Sequence, residues 1–115
     1  MTDVRVVLVT AADRDTGLSL VRQVVQERLV ACGNVLPGAT SVFEWEGTMR
    51  EKREVLLIFK TIAALTERLA ERIAELHTYD VPEVLTLAVE GGHGPFLDWV
   101  RDFTQAEPSD GQKEP

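Results

Sequence analysis

Apolar and polar residues follow two periods along this chain, and the change of period marks the predicted elements. Residues 3–10 are β-branched and apolar almost throughout, which predicts a buried strand. In residues 13–30 the apolar positions recur every three or four residues, which predicts a helix with one buried face. Asp13 and Asp15 offer N-cap oxygens at its start, and Gly33 is its predicted stop signal.

The middle of the chain predicts a β-hairpin. Residues 34–46 are extended and bend at Pro37 and Gly38. Gly47 supplies the turn, and residues 49–60 return as the third strand.

This hairpin is long for the domain that carries it. An arm of about 12 residues spans roughly 40 Å when unbroken, whereas a compact domain of this length has a radius of gyration of about 13 Å. The tip is therefore predicted to overhang the domain. Phe43 and Trp45 lie on the overhang, where another subunit is the simplest surface to cover them.

The second half of the chain repeats the alternation of helix and strand. Residues 62–76 predict a helix, residues 84–89 a fourth strand, and residues 95–103 a short closing helix. The order predicts an α+β, ferredoxin-like β-α-β-β-α-β sandwich, with a four-stranded antiparallel sheet and both main helices on one face. One domain is expected over residues 1–105, and the polar residues 106–115 are expected to be disordered.

Composition narrows the class of protein. The chain has 115 residues, of which 44% are hydrophobic and 27% charged, as in a single globular domain. Its net charge of −7 makes nucleic acid an unfavourable partner. The longest apolar run, residues 55–59, is too short to span a bilayer, so no membrane partner is expected. With no secretory signal and one cysteine, Cys32, a soluble cytoplasmic protein is expected.

Several short blocks, in order over residues 4–103, resemble the CutA divalent-cation tolerance family. The resemblance implies a ferredoxin-like fold, a tight homotrimer and a link to tolerance of copper and other divalent metals, without a known reaction. The blocks are Ala31-Cys32-Gly33-Asn34, Pro37-Gly38-Ala39-Thr40-Ser41, Trp45-Glu46-Gly47, Phe59-Lys60-Thr61 and His77-Thr78-Tyr79-Asp80-Val81-Pro82-Glu83.

Three positions depart from the family pattern. Thr78 stands where relatives tend to have proline, Phe43 where they often have tyrosine, and Thr48 where they often have lysine. A role that needs a phenol or an ammonium group at these positions does not carry over to this chain.

Cys32 and His77 are the candidate metal ligands, because a soft sulfur and an imidazole both suit copper. No compact ligand spacing such as C-x-x-C or H-x-x-x-H accompanies them. The alternatives are that Cys32 is a small buried apolar residue and that His77 caps the second helix. His93 lies in a glycine-rich loop and is expected to be exposed.

Four further residues are those to which the family pattern points: Trp45, Lys60, Tyr79 and Glu83. Lys60 ends an apolar strand and needs a polar partner, and Glu83 offers a carboxylate. One interpretation is a ligand pocket at the subunit interface. The other is that these side chains only pack and bridge the trimer.

Three functions follow from these features. The first is non-enzymatic binding of divalent metal, copper above all, with no cofactor required. The second is a trimeric small-molecule or signalling module similar to the PII signalling proteins. The third, an enzyme using Cys32 with His77, ranks last. A thiol just beyond a helix C-terminus lies at the negative end of the helix dipole, which disfavours the thiolate. The sequence also shows no third residue that would orient His77 as in a catalytic triad.

Overall fold

A computed structural model describes residues 2–105, so the predicted disordered tail, residues 106–115, lies outside the described residues. The predicted order of elements is confirmed, and so is the closing helix. None of the described helices is long and apolar enough to cross a membrane. The elements are β1 (Val4–Ala11), α1 (Arg14–Gln26), β2 (Cys32–Trp45), β3 (Thr48–Ile62), a 3-10 turn (Ala63–Leu65), α2 (Thr66–Leu76), β4 (Val84–Ala88) and α3 (Gly94–Gln105).

The four strands form one antiparallel sheet in the order β2-β3-β1-β4. One face carries α1 and α2, as predicted. The core between them holds alternate residues of β1 and β3, such as Val7 opposite Phe59, against Val24 of α1 and Leu69 of α2. A smaller apolar cluster beneath α3 joins Val100 to the ends of β1 and β3. Burial of these side chains supplies the main stabilisation of the fold.

Helix α1 begins as predicted and ends earlier. Asp13 is the N-cap and accepts a hydrogen bond from the Thr16 N–H at 2.8 Å. The prediction that the helix runs to residue 30 and stops at Gly33 is wrong. It ends at Gln26, and Arg28 takes the left-handed turn with φ of 63°. The local pattern did not reveal this end, because the left-handed residue is an arginine and not a glycine.

Gly33 lies inside β2, where its lack of a side chain lets α1 pack closely on the sheet. A Cβ atom there would lie 2.9 Å from Cγ1 of Val21 and 3.0 Å from Cδ1 of Phe59. Glycine is therefore required for close packing of α1 on the sheet.

The hairpin overhang is confirmed. Strand β1 pairs only with the part of β3 from Val55 to Ile62, so residues 39–54, here called the arm, project beyond it. The molecule measures 48 × 29 × 24 Å, with a radius of gyration of 15.0 Å, above the value of about 13 Å for a compact domain. The turn has two residues, Glu46 and Gly47, both with positive φ, as in a type I′ hairpin.

A β-bulge sits at the predicted bend. Leu36 pairs with Leu56, but the next pair joins Ala39 to Glu54, so β2 carries one extra residue. Gly38 has φ of +88°, which favours glycine. Side chains alternate along a strand. Because of the extra residue, even-numbered residues of β2 face away from α1 and α2 before the bulge, whereas odd-numbered residues do so after it.

On the second face, α3 packs only against the end of the sheet, at Val4 and Ile62. No other described helix covers this face, and we call the apolar residues that α3 leaves uncovered the open face. These residues point away from α1 and α2, and each is paired with another open-face residue on the neighbouring strand. Three of them are well exposed: Leu36 at 40%, Leu85 at 52% and Leu87 at 45%. The open face consists of Val6, Leu8, Leu36, Leu56, Ile58, Leu85 and Leu87.

Candidate functional site

The first group of candidate site residues lies at the start of β2, on the same side of the sheet as the open face. Cys32 pairs with Lys60, so both side chains leave the sheet on this side. The Lys60 ammonium donates a hydrogen bond to Oδ1 of Asn34. Lys60 thus has the polar partner that its position demands.

The environment of Cys32 differs from the predicted one. The residue is not beside the end of α1 but opens β2, where it is half-buried. Burial raises the pKa of the thiol, and the nearby Lys60 ammonium lowers it by less, so the net shift is upward. The thiol is therefore protonated at neutral pH, because of burial and not because of a helix dipole.

A second polar group joins the arm to the segment that follows α2. The hydroxyl of Tyr79 donates to Oε2 of Glu54 at 2.7 Å, and the Lys52 ammonium lies 3.8 Å from the centroid of the Tyr79 ring. Glu54 is only 8% exposed. Burial raises its pKa, but hydrogen bonds from Ser41 and Tyr79, with the Lys52 charge, outweigh burial and hold that pKa below its usual value.

Tyr79 has the opposite shift. Burial raises the pKa of its phenol, and the Glu54 carboxylate adds to that rise, while Lys52 lowers it in part. A protonated phenol bound to an ionised carboxylate follows. Sequence reasoning selected Tyr79 but missed Glu54, Lys52 and Ser41. The sequence did contain a signal. Glu54 is two residues before Leu56 in β3, so it lies on the same side of the strand and places a charged residue at the start of an apolar run.

His77 is fully engaged by the backbone around it. Its Nε2 lies 2.7 Å from the Thr10 carbonyl oxygen, and its Nδ1 accepts from the Tyr79 N–H at 3.0 Å. A carbonyl only accepts and an N–H only donates, so the ring must be neutral with hydrogen on Nε2. His77 is also the C-cap residue of α2, as one of the two sequence interpretations held. Neither ring nitrogen can ligate a metal without breaking one of these bonds.

The two predicted metal ligands lie apart in one chain. Cys32 is at the level of Val6 of β1, whereas His77 touches Thr10, which is four residues further along β1. Four residues of strand correspond to about 13 Å. Among residues 2–105 no three His, Cys, Asp or Glu side chains gather as a metal site. That either residue binds metal stays a prediction.

The four predicted pocket residues are likewise dispersed. Trp45 pairs with Thr48 at the tip of the arm and is 59% exposed, whereas Lys60 lies near the other end of β3. Glu83 is exposed just before β4, and Tyr79 bonds to Glu54 instead. One chain alone therefore does not assemble these residues into one pocket.

Comparison with known proteins agrees with the fold and the residue pattern. Residues 5–103 match the family model described as CutA1 divalent ion tolerance protein. Protein CutA, chloroplastic, from Arabidopsis thaliana is 45% identical over 87% of this chain and 55% of its own length. The divalent-cation tolerance protein CutA of Thermus thermophilus is 39% identical over 86% of this chain and 96% of its own. The chain thus spans about half of the plant relative and nearly all of the bacterial one.

Solved structures show the same architecture. The crystal structure of CutA from Xylella fastidiosa has a TM-score of 0.88 and 33% identity, covering 90% of this chain and 99% of its own. CutA1 from Oryza sativa has a TM-score of 0.87 and 38% identity, covering 90% of this chain and 95% of its own.

Proposed function

This chain belongs to the CutA1 divalent ion tolerance family, and on that premise we propose that it serves metal tolerance as a cytoplasmic, non-enzymatic homotrimer that binds copper or a similar divalent ion. The observation that carries the proposal is the open face, an apolar part of the sheet that α3 leaves uncovered and on which no other described helix packs. An antiparallel sheet exposed to water on one face normally alternates apolar and polar residues. Here both faces are apolar, which favours burial of the second face against other copies.

The arm supports a ring of copies over a symmetric pair. Among the strands of residues 2–105, none pairs with the edge of β3 past β1, and none pairs with the outer edge of β4. Phe43 and Trp45 share one side of the arm with Arg50 and Lys52. The exposed Leu85 and Leu87 of β4 lie between two acidic residues, Glu83 and Glu90.

The two surfaces are complementary in character, since one is aromatic and basic and the other is aliphatic and flanked by acids. They are different surfaces, so contact between them is head-to-tail. Head-to-tail contacts close into rings when the rotation permits, and a trimer is one such ring.

Light scattering during size exclusion tests the assembly. The parent at low micromolar concentration should give three times the 12.8 kDa mass of one chain. Leu85→Lys should dissociate it, because a charge would be buried on the open face. Val81→Lys is the matched control, since Val81 is 89% exposed and lies outside the sheet. A parent that runs as a monomer or a dimer contradicts the proposal.

The proposal that the protein is not an enzyme is supported by the state of the candidate nucleophile, Cys32, and the candidate base, His77. The Cys32 thiol is kept protonated by burial. His77, whose ring nitrogens are both hydrogen-bonded, lies at a level about 13 Å further along β1 in the same chain. A thiol and an imidazole placed in this way cannot form an activated pair.

Metal binding is proposed through Cys32 and His77, with ligands drawn from separate copies or from carboxylates such as Asp80 and Glu83. Two ligands from one chain would leave the site incomplete, since tetrahedral sites take four. His77 would have to exchange its bond to Thr10 or Tyr79 for the metal. We therefore expect weak binding of Cu²⁺.

Calorimetry with Cu²⁺ tests the ligands directly. Cys32→Ser and His77→Ala should each weaken binding, and His93→Ala is the control histidine. Affinity should fall between pH 7.5 and 5.5, because metal competes with protons for imidazole and thiolate. If both variants bind copper as the parent does, the ligand assignment is wrong.

A further inference from the structure

An open groove lies on the helix side of the sheet, where the arm leaves the domain. Its volume is about 460 Å³, within the usual range of roughly 300–1,000 Å³ for small-molecule pockets. The start of α1 forms one wall, the bulge a second and the adjoining part of β3 the third. The side chains that matter here are Arg14, Pro37, Thr40, Arg53 and Val55.

The walls are held by close packing. Gly17 lets the first turns of α1 approach β3, since a Cβ there would lie 2.9 Å from Leu57 and 3.1 Å from Val55. Pro37 stiffens the bulge opposite. The groove is therefore formed before any ligand arrives, which lowers the entropic cost of binding.

Two guanidinium groups line this groove in a chain whose net charge is −7. Arg53 pairs across the strands with Thr40, so a hydroxyl and a guanidinium face the groove side by side. Arg53 makes no ion pair within residues 2–105, and Arg14 has only a 3.7 Å contact with the exposed Asp15.

The one lining carboxylate does not cancel these charges within the groove. Glu54 neighbours Arg53 in β3, so its side chain leaves the sheet on the other face, where it bonds to Tyr79. The groove therefore presents positive charge and a hydroxyl donor over an apolar floor that includes Val55.

We infer that this groove binds a small phosphate-bearing metabolite, with Arg14, Arg53 and Thr40 holding the phosphate. Guanidinium groups pair with phosphate through forked hydrogen bonds, and hydroxyls add a donor. The volume exceeds what a bare phosphate fills, so a sugar-sized body is expected beside Pro37 and Val55. This role goes beyond metal tolerance and does not depend on it. Because the groove lies opposite the open face, covering that face with other copies leaves the groove's own face of the sheet uncovered.

Amide shifts and calorimetry on the full chain test the inference, with inorganic phosphate, ribose 5-phosphate and unphosphorylated ribose as probes. Ribose 5-phosphate should shift the amides of Gly38 and Thr40, and ribose should not. Arg53→Gln and Arg14→Gln should each weaken ribose 5-phosphate binding about tenfold, the loss expected for one charged hydrogen-bond pair. Arg22→Gln is the matched control, because it removes the same charge from an exposed position of α1 outside the groove.

The outcomes separate the alternatives. Tighter binding of ribose 5-phosphate than of inorganic phosphate supports a metabolite site, and equal binding of the two overturns the metabolite while leaving a phosphate site. Equal weakening by Arg53→Gln and Arg22→Gln means that only net charge matters, which overturns the groove as the binding site. The groove is also overturned as a binding site if the parent binds neither inorganic phosphate nor ribose 5-phosphate at millimolar concentration. Oligomer mass and copper binding are measured separately, so their failure does not affect this result.

Discussion

The Tyr79 hydroxyl lies 2.7 Å from a carboxylate oxygen of Glu54, and this hydrogen bond ties the segment after α2 to the base of the arm. The bond joins a phenol whose pKa is raised to a carboxylate whose pKa is lowered, each shift opposed in part by other groups. The free energy of unfolding therefore depends on pH in acid, through Glu54, and in alkali, through Tyr79.

Glu54→Gln should reduce the free energy of unfolding at pH 7 by about 1–3 kcal/mol, since a charged, buried acceptor is lost. The folded-state pKa of Glu54 is below its usual value, so its stabilisation is present above the unfolded pKa and disappears as pH falls through the folded one. Urea unfolding at fixed protein concentration should show the parent and the variant converging in acid. The exposed Glu51→Gln is the control, and a gap that persists undiminished in acid contradicts the assignment.

His77→Ala should cost about 2–3 kcal/mol of stability, because it leaves the Thr10 carbonyl and the Tyr79 N–H without their side-chain partner. His93→Ala should change stability by less than about 0.5 kcal/mol, since its side chain is exposed. Thermal and urea unfolding at one protein concentration measure both. Equal effects would show that the two hydrogen bonds of the His77 ring contribute nothing.

Gly33→Ala should destabilise the protein by about 1–3 kcal/mol through overpacking, because the new methyl group meets Val21 and Phe59 at 3 Å or less. Gly91→Ala, where no atom lies within 4 Å, is the control glycine. The comparison uses denaturant midpoints. Tolerance of both substitutions would mean that α1 can move away from the sheet at no cost.

Trp45→Ala should dissociate the oligomer while leaving the domain folded. Trp45 lies with Phe43 on the side of the arm that continues the open face, and its side chain is 59% exposed in one chain, so the variant removes much of the aromatic surface. Val42→Ala is the matched control, because Val42 is 61% exposed on the opposite side of the arm, and it should retain the parent mass in light scattering. A Trp45→Ala variant with the parent mass would exclude a role for this ring in assembly.

The order of elements followed from the sequence because hydrophobic period, caps and turn residues act over a few positions. Asp13 capped its helix and Gly47 turned the hairpin as predicted. The end of α1 was misjudged because Arg28, a residue without a turn signature, adopts the left-handed conformation.

The candidate site was predicted less well, because its chemistry depends on register and burial. The sequence by itself determined the strands, the helices, the overhanging arm and the identity of Tyr79 as a polar residue with an apolar body. Only the tertiary structure decided that Tyr79 bonds to Glu54 and that both ring nitrogens of His77 bond to the backbone. It also decided that Cys32 and His77 lie at levels about 13 Å apart along β1. Local periodicity fixes which way a side chain points on its own strand. A one-residue bulge and the pairing of distant strands fix what it points at.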